Sequence, residues 1–276
     1  MTDVALQRPL TGFSRLGRFL LRAPMFPVFA LGCSLLILAV PWLHITVREP
    51  RERIRKLRAM ARMAARGWFV LLRRLHIVAI ETRGAVPDKP GLVIANHPTL
   101  IDVVMLVAFI PNLCCVMKAQ LKRNGLLNTL ARQLGYVSNQ DPETMLTDCE
   151  QRLTDGEILL IFPEATRSTP GQPISFRTGA AELALRTQAP LTTAIIHANT
   201  PYLSKSSAWY DFPAERLEYR IVFEPPFTTS SRTGSRRQRR RNLTARLETF
   251  YRQALGQVQK STTADDWPDT HIKEQT

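Results

Sequence analysis

Short apolar runs alternate with helix-like segments over most of the chain after residue 76. Six runs rich in Ile, Leu and Val predict strands, and the segments between them place apolar residues at steps of three and four, which is typical of helices. The predicted strands are 77–81, 92–95, 114–117, 158–162, 191–196 and 219–223. The predicted helices are 100–109, 126–134, 143–154, 179–186 and 236–251. This alternation predicts an α/β fold with a mixed central sheet flanked by helices.

Residues 25–43 form a long apolar segment without a charged side chain. As a helix, the segment would span roughly 28 Å, close to the hydrocarbon thickness of a bilayer. Arginines lie on both sides of it, so the positive-inside rule assigns no orientation. We expect a re-entrant or interfacial segment with both ends on the cytoplasmic face; a transmembrane span and a buried core helix are the alternatives. A signal peptide fits poorly, because no small-x-small cleavage site follows.

A basic amphipathic pattern covers residues 51–75. Its apolar stripe consists of Ile54, Leu57, Ala61, Ala64, Trp68, Leu71 and Leu75. Its other faces carry Arg51, Arg55, Arg58, Arg62 and Arg66. We expect part of the stripe to pack on the protein core and the arginines to favour anionic lipid headgroups. The chain therefore divides into an N-terminal membrane-associated helical segment (1–75), an α/β domain (76–260) and a polar, disordered tail (261–276).

Composition and charge narrow the class of protein. The 276 residues suffice for one or two domains, and 45% hydrophobic against 22% charged residues is a globular composition. Residues 1–75 hold 14 Lys and Arg against three acidic residues, so +11 of the net charge of +14 lies there. Because this charge flanks an apolar segment, a membrane surface is a better partner than nucleic acid. The four cysteines, without a CxxC pair, predict neither disulfides nor zinc and indicate a cytoplasm-facing location.

The first chemical signal is the run Asn96-His97-Pro98-Thr99-Leu100-Ile101-Asp102. A residue before proline favours extended geometry and proline favours the first helical position, so His97 is expected where a strand ends and a helix begins. Asp102 would then lie one turn into the helix and reach back to a ring nitrogen. A carboxylate on one nitrogen fixes the tautomer and leaves the other nitrogen as a general base. A capping histidine followed by a first-turn aspartate would have the same spacing.

The second signal follows the predicted strand 158–162. The chain there enters a proline-led polar turn that contains Glu164, Thr166, Arg167 and Ser168. A guanidinium at such a rim is suited to bind a phosphate through two hydrogen bonds, and Arg177 would add a second charge at a helix start. A local ion pair between Glu164 and Arg167 is the alternative interpretation.

Taken together, the motifs resemble those of a known family. The order is NHxxxxD at 96–102, a lysine-led segment from Lys118, FPExTRS at 162–168, and Pro190 before a strand. This order, over roughly residues 75–225, resembles the glycerolipid acyltransferases of the 1-acylglycerol-3-phosphate acyltransferase group. Members transfer a fatty acyl group from acyl-CoA or acyl carrier protein to a lipid hydroxyl, without a cofactor or metal. The resemblance implies a membrane lipid acceptor and a site on the cytoplasmic face, here of a bacterial inner membrane.

The resemblance also implies roles for individual residues. His97 would be the general base and Asp102 the carboxylate that orients it. Glu164 and Arg167 would belong to the acceptor-binding motif, with Arg167 on phosphate. The remaining matched positions are Thr166 and Ser168 in the same turn and Lys118 at the start of the second motif.

Three positions depart from the family pattern. Ala165 stands where the family usually has glycine, and Thr99 where it usually has serine. The segment Ser138-Asn139-Gln140-Asp141 lacks an arginine that the family often has there, so one phosphate contact is missing. An aminolipid, a glycolipid or a polyene lipid headgroup therefore stays open as the acceptor. A non-catalytic, membrane-peripheral lipid-binding protein is the alternative from another class.

Overall fold

The fold consists of a seven-stranded sheet with helices on both faces. A computed structural model describes residues 15–118, 125–169, 171–205, 207–208, 210–229 and 234–261, and the tail predicted to be disordered lies outside these ranges from residue 262 onward. The helices are α1 (Arg15–Arg22), α2 (Met25–Thr46), α3 (Pro50–Arg74), α4 (Asp102–Phe109), α5 (Gly125–Gln133), α6 (Pro142–Thr154), α7 (Gly179–Thr187) and α8 (Arg236–Ser261). The strands are β1 (Val78–Arg83), β2 (Gly91–Ala95), β3 (Leu113–Met117), β4 (Val137–Ser138), β5 (Ile158–Ile161), β6 (Leu191–Ala198) and β7 (Leu217–Phe223).

The strand order places two of the predicted motifs side by side. The sheet runs β1-β7-β6-β2-β5-β3-β4, and every neighbouring pair is parallel except β6 and β7. The predicted mixed α/β sheet is therefore confirmed. Because β2 and β5 are parallel neighbours, with Ile94 opposite Ile161, their carboxyl ends meet at one edge of the sheet. The segments 96–102 and 162–168 leave the sheet at that edge.

Helices bury both faces of the sheet. Val93 and Ala95 point into a core shared with α3 and α4, while Leu92 and Ile94 point into a core shared with α7 and α8. All five residues of β2 are buried, which is typical of a central parallel strand. The short strand β4 was not predicted from the sequence, because two residues are too few for a periodic pattern.

Helix α2 exposes an apolar face. Cys33, Leu36 and Leu43 are buried in a cluster that includes residues of α3 and α5. The opposite face leaves the following side chains exposed: Val28, Leu31, Leu35, Leu38, Trp42 and Ile45. Among the described residues, one helical stretch, Phe19–Thr46, is long and apolar enough to cross a membrane. The apolar N-terminal helix is thus confirmed, and it is buried along one side only.

Helix α3 differs in part from its prediction. Its buried apolar stripe is Leu57, Ala61, Ala65, Trp68, Phe69 and Leu72, so Ala64, Leu71 and Leu75 are exposed instead. The expectation that its arginines favour lipid headgroups is wrong for Arg58, which is buried. Arg58 forms a buried ion pair with Glu157 at 2.9 Å. Arg62 and Arg66 donate to the carbonyls of Phe109 and Ala108, because the last turn of α4 leaves these oxygens without helical partners.

Candidate active site

Backbone and side-chain hydrogen bonds join two segments, 96–102 and 162–168, into one site. These are called the motif segments. The backbone N–H of Ser168 donates to the carbonyl oxygen of His97 at 2.7 Å. In the other direction, the backbone N–H of His97 donates to Oε1 of Glu164 at 2.9 Å. The motif segments that are about 65 residues apart in sequence therefore share one rim of the sheet.

His97 and Asp102 make the contact that their spacing predicts. Nδ1 of His97 lies 2.8 Å from Oδ2 of Asp102, whose side chain is fully buried. An ionised carboxylate only accepts hydrogen bonds, so this contact assigns the ring proton to Nδ1 and leaves Nε2 as an acceptor. The local path differs from the prediction, because α4 begins at Asp102 rather than at residue 100. Pro98 precedes the helix, and a turn over 99–101 brings Asp102 back toward the ring.

Thr99 and Phe162 hold this pair in place. Thr99 donates its backbone N–H to Oδ2 of Asp102 at 2.8 Å and its hydroxyl to Oδ1 at 2.5 Å. Burial raises the pKa of the Asp102 carboxyl, and the hydrogen bonds from His97 and Thr99 act in the opposite direction. The His97 ring stacks on Phe162 with centroids 4.3 Å apart. The His97 side chain remains 16% exposed, so the ring sits at the surface of the rim.

Glu164 links the two segments. Its Oε1 accepts from the backbone of His97 and from the Ser168 hydroxyl, the latter at 2.8 Å. Burial raises the pKa of the Glu164 carboxyl, partly offset by these two hydrogen bonds. The local ion pair with Arg167, considered as an alternative from the sequence, is not formed, because Arg167 points elsewhere.

Arg167 is partly engaged by the protein itself. Its Nη1 donates to the carbonyl oxygens of Leu203 and Ser204, both at 2.8 Å. Its Nε and Nη2 make no hydrogen bond to any residue that the structure describes. The guanidinium is therefore held by one nitrogen and has donors left for a ligand.

The side chains of the other predicted cations, Lys118 and Arg177, take no part in the hydrogen bonds of this turn. The backbone N–H of Arg177 donates to the Pro163 carbonyl at 2.8 Å, and its side chain is exposed. Lys118 follows β3 directly and is also exposed. Thr166 is exposed within the turn. Neither the Lys118 nor the Arg177 side chain makes a hydrogen bond or ion pair to the described residues.

Ala165 adopts the backbone conformation that glycine would favour. Its φ angle is +54°, in the left-handed region where a Cβ is unfavourable. The family's usual glycine at this position is therefore explained by the turn, which this chain retains with an alanine.

Two residues of the site had no role assigned from the sequence. Asn96 donates to the Ile196 carbonyl at 2.8 Å and accepts from the Ile196 N–H at 2.7 Å, which extends the pairing of β2 with β6 by one residue. The position of Asn96 in the motif indicates that it matters, but does not predict its hydrogen bonds to the Ile196 backbone. Leu203 lies about 100 residues from His97 in the chain and had no sequence signal of its own.

The segment that lacks the family's arginine borders an open cavity. Asp141 accepts from the Thr144 N–H at 2.7 Å and thereby caps α6. The cavity, of about 580 Å³, lies at the ends of β3 and β4 and is lined by Met117, Asn128, Arg132, Tyr136, Ser138, Gln140, Asp141, Thr144 and Asp148. Two carboxylates and one guanidinium line it, so this part of the rim is not a strongly cationic surface.

Comparisons with known proteins show which sequences this chain resembles. Residues 77–197 match the family model described as Acyltransferase. The mouse 1-acyl-sn-glycerol-3-phosphate acyltransferase alpha is 25% identical over 169 residues, which cover 58% of this chain and 58% of the mouse protein. The Helicobacter pylori 1-acyl-sn-glycerol-3-phosphate acyltransferase is 28% identical over 118 residues, covering 40% of this chain and 50% of that protein.

A solved structure shares the fold. The 1-acyl-sn-glycerophosphate acyltransferase from Thermotoga maritima superposes with a TM-score of 0.58, covering 85% of this chain and 98% of that one at 18% identity. The chain spans a little more than half the length of the mouse relative, and the matched region contains both motif segments. Residues 77–197 of this chain therefore match the Acyltransferase family model, and the chain is similar to 1-acyl-sn-glycerol-3-phosphate acyltransferases from animals and bacteria.

Proposed function

We propose that this protein transfers a fatty acyl group from a thioester donor, acyl-CoA or acyl carrier protein, to a hydroxyl of a lysophospholipid or related lipid. The observation that carries the proposal is the 2.8 Å contact between Nδ1 of His97 and Oδ2 of Asp102 at the rim formed with 162–168. This contact leaves Nε2 of His97 as an acceptor for the proton of an attacking hydroxyl.

The reaction needs one base and a stabilised oxyanion. Nε2 of His97 takes the hydroxyl proton as the oxygen attacks the thioester carbonyl, and Asp102 stabilises the imidazolium that forms. The tetrahedral intermediate then expels a thiolate as the C–S bond breaks, and the imidazolium returns the proton to sulfur. Within the described residues, the backbone N–H groups of Thr166 and Arg167 have no acceptor, and we assign them as donors to the oxyanion.

The charges near the rim favour an anionic acceptor. Nε and Nη2 of Arg167 would bind the phosphate, with the exposed side chains of Arg177 and Lys118 adding positive charge. Glu164, Thr166 and Ser168 would shape the turn that presents Arg167. The carboxylates of Asp141 and Asp148, in the cavity at the ends of β3 and β4, would favour a cationic amine and so support an aminolipid as the second candidate acceptor.

The membrane is the proposed source of the acceptor. The exposed apolar face of α2 would enter the bilayer, and exposed arginines such as Arg48 and Arg74 would contact anionic headgroups. We place the site on the cytoplasmic face, in a bacterial inner membrane, with residues 1–75 as the membrane-binding helices. No nucleic-acid partner is proposed.

The test uses purified full-length protein in detergent with a panel of substrates. Donors are palmitoyl-CoA and palmitoyl acyl carrier protein; acceptors are lysophosphatidate, a lyso-aminolipid and a phosphate-free monoacylglycerol. Acceptor-dependent thiol release that requires His97 supports the proposal. A folded protein that binds these lipids but releases no thiol contradicts it and supports the non-catalytic lipid-binding alternative.

A further inference from the structure

The loop between β6 and β7, residues 199–216, lies between the N-terminal helices and the catalytic rim. It contacts α1 and α2 on one side and both motif segments on the other. These contacts are made by buried side chains and by backbone carbonyls, which fix positions more closely than exposed surface contacts do.

The N-terminal side of this loop is held by Arg22 of α1. The Arg22 side chain is fully buried, and it donates from Nη1 to the Pro213 carbonyl at 2.5 Å and from Nη2 to the Glu215 carbonyl at 3.1 Å. A buried guanidinium is costly unless it is hydrogen-bonded, so these two carbonyls constrain Arg22 and the loop together. This basic residue, which the sequence places just before the apolar segment, faces the protein rather than the lipid.

Aromatic rings reinforce this attachment. Phe212 of the loop lies 6.1 Å from Phe19 and 6.2 Å from Phe26, measured between ring centroids. The same ring lies 5.2 Å from Tyr202, at the other end of the loop. The aromatic cluster thus connects α1 and α2 to the part of the loop that reaches the rim.

On the catalytic side, one carbonyl joins both motif segments. The Leu203 oxygen accepts from Nη1 of Arg167 at 2.8 Å and from the backbone N–H of Leu100 at 3.1 Å. Leu100 belongs to the turn between His97 and Asp102. Leu203 is 2% exposed and has a φ angle of +58°, a strained conformation for a residue with a side chain. The surrounding packing therefore holds this carbonyl in an unfavourable backbone geometry at the junction of the two segments.

We propose that Arg22 is a positioning residue for acyl transfer, acting through the loop 199–216 on Arg167 and on the turn before Asp102. This inference rests on the proposed function, because it assigns Arg22 an effect on the acceptor site. It also means that the helices which carry the exposed apolar face set the geometry of the rim. The position of α1 and α2 and the position of Arg167 are then linked through the loop 199–216.

A double-mutant cycle in the full-length protein tests the link. We expect Arg22→Ala to raise the acceptor KM about tenfold with little change in the donor KM, because Arg167 loses its support. Arg22→Ala should add less than about twofold to the effect of Arg167→Ala, since residues acting through one another are not additive. Arg252→Ala removes an exposed charge from α8, to which no binding role is assigned, and serves as the control. Multiplicative effects of the two substitutions would overturn the proposal.

Limited trypsin digestion provides a readout that does not depend on activity. Lys205 is an exposed cleavage site within the loop, and we expect Arg22→Ala and Arg167→Ala each to accelerate cleavage after it, unlike Arg252→Ala. Unchanged cleavage in Arg22→Ala contradicts the coupling. A wild-type protein without acyl transfer contradicts the proposed function instead, and the digestion then decides the coupling alone.

Two further variants guard against a simple folding defect. Arg22→Lys keeps the charge and one donor contact, so its acceptor KM should fall between those of the wild type and Arg22→Ala. Where Arg22→Ala does not fold, Phe212→Leu replaces it in the same cycle. That change keeps most of the buried volume and removes the ring contacts to Phe19 and Phe26.

Discussion

The backbone N–H of Ser168 lies 2.7 Å from the carbonyl oxygen of His97, and this hydrogen bond closes the site. The bond joins His97, which lies just after β2, to Ser168, which ends the turn after β5. The neighbouring bond from His97 N–H to Glu164 runs the other way, so each segment both donates and accepts. The position of the His97 ring therefore depends on the conformation of the turn 162–168.

Replacing Ala165 tests the strain in that turn. Ala165→Gly should stabilise the protein by about 1 kcal/mol or less, because relief of the left-handed strain exceeds the added entropy of the unfolded chain. Turnover should stay within about twofold of wild type. Gln188→Gly is the matched control, since Gln188 also has positive φ, at +50°, but lies at the C-terminal cap of α7. Thermal unfolding checks both variants; a lower Tm for Ala165→Gly would show that the alanine packs favourably.

Glu164 gives a pH-dependent prediction. Burial raises the pKa of its carboxyl in the folded protein. As pH rises from the ordinary pKa of a glutamate through this raised pKa, the unfolded chain ionises more readily than the folded protein. The wild type therefore loses stability over this range, whereas a neutral variant does not. Glu164→Gln keeps an oxygen that accepts from His97 and Ser168. The free energy of unfolding of Glu164→Gln minus that of the wild type should therefore increase as pH rises above 4.5 and level off once the pH exceeds the raised pKa. Denaturant titrations at each pH measure the difference, and a decrease over this range contradicts the assignment.

Thr99 gives a prediction about the support of Asp102. Thr99→Ser retains the hydroxyl that donates to Oδ1 and should keep at least half of the wild-type turnover. Thr99→Val keeps the side-chain shape but removes the hydroxyl, so Oδ1 of the buried Asp102 carboxylate loses a hydrogen-bond donor. We expect this change to lower turnover about tenfold or more. Steady-state assays at matched substrate concentrations distinguish the two. Equal activity of the Ser and Val variants would show that the hydroxyl has no part in holding the carboxylate.

Membrane attachment depends on the exposed face of α2. Washing membranes with high salt should leave the protein bound, because salt screens the arginine contribution but not apolar burial. Substituting Leu35 and Leu38, which are 58% and 71% exposed, by Glu should shift the protein to the soluble fraction without lowering its Tm. Leu36→Glu, at a position only 8% exposed, should lower the Tm instead. Complete release of the wild type by salt contradicts insertion of this face.

Features that depend on local patterns, such as most strands and the contact between His97 and Asp102, could be predicted from the sequence. Apolar runs located six of the seven strands, and the spacing of His97 and Asp102 predicted their contact. The hydrogen bonds of Arg62 and Arg66 to α4 were not predicted, because nothing near these residues in the chain shows that the end of α4 will lie beside them. Leu203 was missed for the same reason, since its role depends on a loop that returns to the rim about 100 residues after His97. Helix α8 runs ten residues beyond its predicted end at residue 251, where the apolar pattern weakens.

The central claim is that His97 is the general base, and the turnover of His97→Ala tests it most directly. The measurement is acceptor-dependent thiol release by purified full-length protein, with thermal unfolding of the same sample as the check on folding. We expect turnover about 10² to 10⁴ times lower than wild type at an unchanged Tm. Turnover within a few-fold of wild type in a folded His97→Ala protein would contradict the account.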